Sequence, residues 1–118
     1  HNWIGKSEFE KLRAIYNTLK PGGVFGITDH RSDTIEDKKG YTCEPCLIRD
    51  AEAIGFRYVG ASQINANPRD TKDYPGGVWN LPPTLSERGL DKKSIKKMQK
   101  KYKLIGESDR YTLKFVKP

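Results

Sequence analysis

The chain has 118 residues, 35% hydrophobic and 31% charged, with a formal net charge of +7. This length suits one domain, read as spanning 1–118, and no apolar run approaches the roughly 20 residues that cross a bilayer, which excludes a membrane helix. Segment 91–103 holds seven lysines and one aspartate, so nearly all the net charge is local, which argues against a domain-wide nucleic-acid surface.

The first element is a helix over about 7–19. Ser7 and Glu10 have capping-box spacing, and Leu12, Ile15, Tyr16 and Leu19 recur at helical intervals. Pro21-Gly22-Gly23 stops it, since proline cannot continue the ladder and glycine accepts positive φ. Val24–Thr28 follows, short, apolar and without alternation, as a strand buried on both faces would read. It gives way abruptly to Asp29-His30-Arg31.

Residues 32–41 read as a polar loop. Thr42 is placed to cap a second helix with Pro45 in its first turn, Leu47, Ala51 and Ile54 on its apolar face and Gly55 as its stop. Residues 56–64 read as a strand, and 67–86, rich in Pro, Gly and Asp around Trp79, as irregular chain. Segment 91–102 reads as an amphipathic helix with Ile95, Met98 and Tyr102 on one face. Arg110–Val116 alternates as a terminal strand, with Tyr111, Leu113 and Phe115 on its drier side. The expected architecture is α/β, a mixed three-stranded sheet with flanking helices. Its first two strands run parallel through a right-handed crossover and its last runs antiparallel.

Three segments carry a resemblance. Residues 20–30 (KPGGVFGITDH) resemble the LKPGG turn and fifth strand of class I S-adenosylmethionine-dependent methyltransferases. Residues 53–56 (AIGF) resemble the junction into the sixth strand, and residues 109–118 (DRYTLKFVKP) look like the final antiparallel strand that slots between those two. An insertion falls at about 86–107, and the nearest likeness is to bacterial predicted methyltransferases. The resemblance implies the C-terminal half of a Rossmann-like fold. It also implies methyl transfer from S-adenosylmethionine to an unknown acceptor in the intact protein.

The cofactor cradle of such a fold is a strand–glycine–helix turn, because backbone must approach the ligand closely. No such unit precedes position 7, so this chain alone is expected to be inactive and to hold no cofactor. Beginning at His1 rather than Met, it reads as a piece that starts in mid-domain. By resemblance, His1 and Asn2 border the cofactor cleft. Asp29 and His30, at the carboxyl end of a strand, are the catalytic candidates, because ligands of open α/β sheets bind there. Arg31 and Trp79 are candidate substrate contacts, with a loop anchor as the plainer role for Trp79.

Two other readings compete. Cys43-Glu44-Pro45-Cys46 has the C-x-x-C spacing of a thiol–disulfide redox module at a helix N-terminus, although here a polar loop rather than a strand precedes it, and a buried Cys46 thiol is the ordinary alternative. The 92–103 lysines could bind phosphate backbones or other anions, but Tyr102 alone offers no stacking platform, and a solvated helix face is the plainer reading. Two cysteines and two histidines would all have to converge for zinc, so no metal is expected. Two cysteines make no disulfide scaffold, which suggests a reducing, cytoplasmic setting. An exposed strand edge left by the absent half is expected to pair with a second copy or with that half. Neither membrane nor nucleic acid is expected as a partner.

Overall fold

A computed structural model describes residues 6–118, with side chains from Glu8 onward. The cleft-bordering assignments to His1 and Asn2, and the Ser7 hydroxyl cap, lie outside what is described. The elements are α1 (Lys6–Thr18), β1 (Val24–His30), α2 (Glu44–Ile54), β2 (Arg57–Ser62), a 3₁₀ turn (Gly77–Asn80), α3 (Ile95–Ile105) and β3 (Arg110–Val116).

The sheet order is β1-β3-β2, and β3 is antiparallel to both neighbours, in register from Val24 opposite Val116 to His30 opposite Arg110. β1 and β2 therefore run the same way but never touch. The expected mixed sheet is corrected: every pairing is antiparallel, because the terminal strand takes the place between the two crossover strands. Val24–Thr28 is corrected as well. The strand continues through His30, and it alternates instead of being buried on both faces, with Val24 55% exposed. Phe25 and Ile27 turn toward the helices, while Val24 and Gly26 line an open apolar groove of about 450 Å³ on the other face, with Gly60 and Lys114.

Both α1 and α2 pack on the Phe25 face. Leu12, Leu47 and Ala51 meet Phe56, Tyr111, Leu113 and Phe115, all nearly inaccessible. Phe56 sits at the centre, edge-on to Tyr16 at 5.0 Å and 5.9 Å from Phe115. Burying an aromatic side chain of this kind stabilises the fold by roughly 1.5–3 kcal/mol. Gly55 closes α2 at φ 129, and a Cβ there would stand 2.9 Å from the Tyr16 hydroxyl, so glycine serves both the turn and the approach of α1. The end of α1 is held from the far end of the chain. The Lys117 ammonium donates to the carbonyls of Tyr16 and Leu19, 2.9 Å each, and lies over the Tyr16 ring.

The second helix begins one residue later than its sequence suggests. Cys43, not Thr42, is the N-cap, because the Thr42 hydroxyl is committed to the His30 carbonyl and the Tyr111 hydroxyl. A second small core of Tyr74, Leu81 and Tyr102 forms beneath α3, with Met98 and Ile105 against it. No helix among the described residues is long and apolar enough to cross a membrane.

Candidate functional site

Because β1 runs on to His30, Asp29 and His30 form the carboxyl end of the strand and Arg31 follows directly after it. The Asp29 carboxylate accepts the His30 backbone N–H at 2.7 Å. The His30 ring contacts the Ser108 hydroxyl through Nδ1 and meets Tyr41 edge-on. Burial is the main force on its pKa and lowers it, with Arg110 acting the same way and Asp29 opposing. Burial thus favours the neutral imidazole over the charged one, with Nδ1 turned to the Ser108 hydroxyl.

His30 lines a cavity of about 240 Å³ together with Trp79, Pro82, Thr84, Ser108 and Arg110. The structure therefore brings together His30 and Trp79, which lie 49 residues apart in the sequence. Trp79 is presented by the 3₁₀ turn and carries the Arg88 guanidinium over its ring at 4.8 Å. Gly40 seats this turn. It has φ 88, and a Cβ there would come within 2.5 Å of Val78 and 3.3 Å of the Trp79 ring.

Arg31 does not face this cavity's lining. It pairs with Glu44 and Asp109, 3.3 Å each, and donates to Gln63 at 2.9 Å, tying β1 to α2 and to the strand-β3 approach. Ser108, the residue that engages His30, carries no motif, and neither does the network behind it. Asp70 is 6% exposed, and its carboxylate accepts the Tyr41 hydroxyl at 3.0 Å, the Asp109 N–H at 2.8 Å and the Lys72 N–H at 3.0 Å. The Lys72 ammonium lies between Asp33 and Asp109, at 2.5 and 2.9 Å. Burial alone would push the Asp109 carboxyl up, but the Lys72 hydrogen bond and the Asn67 N–H outweigh it and leave the pKa low. Tyr41 and Lys72 also line a polar cleft of about 440 Å³ with Ser32, Thr34 and Lys38. Tyr41 is the wall shared between that cleft and His30. The signal for all of these was only a polar, Asp-rich tract without periodicity.

The cysteines form a disulfide, Cys43–Cys46, at the start of α2. This corrects the reading of Cys46 as an ordinary buried thiol. Burial and the neighbouring Asp50 and Asp37 push the Glu8 carboxyl up to about 7, and Glu8 shares a hydrogen bond with Asp50. The α3 lysines stand in solvent, while Tyr102 is buried edge-on against Tyr74 and offers nothing to stack on. Among the described residues no group of three or more His, Cys, Asp or Glu converges for a metal.

The described residues do not fit S-adenosylmethionine. Gly22-Gly23 lies at the amino end of β1, opposite the His30 end. At Gly77 a Cβ would stand 2.2 Å from the Lys39 carbonyl, so that glycine serves packing and not a ligand.

No known family profile matches the chain, and no curated protein matches it. A solved structure that does resemble it is that of the [4+2]-cyclase SpnF, with TM-score 0.55 and 18% identity, over 96% of this chain and 46% of SpnF. At that identity the likeness speaks for the α/β fold alone. The methyltransferase family resemblance is thereby corrected: the three motifs occupy a turn, a helix–strand junction and a terminal strand that this fold needs for structural reasons. The chain spans under half the length of the structure it resembles.

Proposed function

We propose that this chain is the distal part of a larger, Rossmann-like α/β enzyme domain, and that the His30 cavity is part of that domain's small-molecule site. One observation carries the reading. A half-buried histidine, a serine hydroxyl and a tryptophan share one cavity at the carboxyl end of a sheet strand, where such sheets bind ligands. His30 would position or deprotonate an acceptor group, Ser108 would fix the imidazole, and Trp79 would cover the bound molecule.

The reaction we assign to the intact domain is methyl transfer from S-adenosylmethionine. The acceptor is undefined, and the cofactor would be held by residues outside this chain. The free edge of β1 would pair with a strand of the remaining half, or with a second copy when this chain stands alone.

The test uses the longer polypeptide that includes the upstream sequence. Calorimetry with S-adenosylmethionine should show binding to that polypeptide and none to this chain. His30→Ala should leave that affinity unchanged and lower acceptor turnover by about 10²-fold or more. A longer polypeptide that neither binds the cofactor nor depends on His30 would sink the reading.

A further inference from the structure

The Cys43–Cys46 pair sits apart from the His30 cavity and is not used by the function proposed above. A disulfide closing so short a loop removes little freedom from the unfolded chain compared with one joining distant segments. Its position suits exchange better than support. Cys43 is the N-cap of α2, 4% exposed, and its sulfur accepts the Cys46 backbone N–H at 3.2 Å. Cys46 is only half-buried, and its sulfur lies 3.8 Å from the carbonyl of Ile35, a residue 82% exposed on the neighbouring loop. Each sulfur therefore has a partner ready for the reduced state. Cys43 as thiolate keeps the N–H and the helix N-terminus, and Cys46 as thiol can donate to the Ile35 carbonyl.

We propose that Cys43 and Cys46 are a reversible dithiol/disulfide site that exchanges electrons with an external dithiol through Cys46. The thiolate of the external dithiol attacks the Cys46 sulfur. A mixed disulfide forms, the Cys43–Cys46 bond breaks, and its electron pair leaves on Cys43, where the Cys46 N–H receives the charge. The second thiol of the reagent then attacks its own sulfur in the mixed disulfide and releases Cys46, which takes a proton from water. The external dithiol is oxidised to a disulfide and gives up its two protons, as the protein pair is reduced to the Cys43 thiolate and the Cys46 thiol. Asp37, whose carboxylate accepts the Cys43 N–H at 2.8 Å, anchors the leaving sulfur's backbone during the exchange.

The experiment treats the folded, oxidised chain with dithiothreitol, alkylates it with iodoacetamide and maps the peptides by mass. Neither cysteine should be alkylated before treatment and both after it. Brief treatment of the oxidised chain with reduced glutathione should place the mixed disulfide on Cys46. In Cys43→Ser, the remaining thiol should react with dithionitrobenzoate at least about tenfold faster than the thiol left in Cys46→Ser. Two alkylated cysteines in the untreated chain, a bridge that native dithiothreitol does not open, or glutathione captured on Cys43 would each overturn the proposal. The glutathione mapping needs no variant, so a misfolded substitution does not blunt the test.

Discussion

Glu8 and His30 show how burial acts with opposite sign on an acid and a base. Glu8 has its pKa raised from 4.5 to about 7, by burial first and then by Asp50 and Asp37. A folded state that holds this proton more tightly gains stability at low pH and loses it as pH rises from about 4.5 through 7. Glu8→Gln should therefore flatten that loss and raise stability at pH 8 by on the order of 1 kcal/mol, after discounting for solvent screening. Thermal melts at pH 5 and pH 8 measure it, and equal pH dependence in both proteins would remove the explanation. His30 is lowered by burial, so its contribution is present above 6.5 and lost as pH falls below it. An NMR titration of the imidazole should give a midpoint under 6.5.

Asp70 is a sharper case, because three donors converge on one buried carboxylate. Asp70→Ala would strand the Tyr41 hydroxyl and two backbone amides, at a cost of about 3 kcal/mol. Urea unfolding reads this directly, and a loss under about 1 kcal/mol would mean that water replaces the carboxylate.

At the scale of elements, the sheet is organised by its last strand. β3 places Tyr111, Leu113 and Phe115 against both helices and pairs along both sides, so neither crossover strand has a described strand neighbour without it. Phe115→Ala should cost about 3–5 kcal/mol through the cavity it leaves between Phe25, Phe56 and Tyr58. Lys117, just beyond that strand, satisfies two carbonyls at the end of α1. Lys117→Met keeps the aliphatic stem and removes the donor, with an expected loss of about 1 kcal/mol in denaturant titration. These effects were only partly legible beforehand. The alternation of β3 and the stop at Pro21-Gly22-Gly23 are local patterns and read out correctly. That Lys117 returns to cap α1 depends on a contact across about a hundred residues, which no local pattern encodes.

At the scale of the whole molecule, the shape is extended. The radius of gyration is 16.2 Å and the extents are 54 × 27 × 22 Å, against about 13 Å for a compact chain of about 100 residues. The extension comes with an open groove on one sheet face and an exposed Val24 at the strand edge. Sedimentation velocity should show self-association of this 13.5 kDa chain, and Val24→Lys, a charge on that edge, should return it to monomer with stability changed by less than about 0.5 kcal/mol. A wild-type chain that stays monomeric at every concentration removes the pairing.

What the sequence determined by itself was local. Periodicity, proline and glycine stops and alternation depend on neighbours along the chain, so three helices and three strands were legible to within a few residues, as were the amphipathic α3 and Asp29-His30 at a strand end. Tertiary structure alone decided that Thr42 gives up its capping role to Cys43, that the two cysteines are joined, that Ser108 engages His30 and that Trp79 shares its cavity. Those outcomes rest on hydrogen bonds and packing between residues dozens of positions apart. Their partners are chosen by the folded surface and not by spacing.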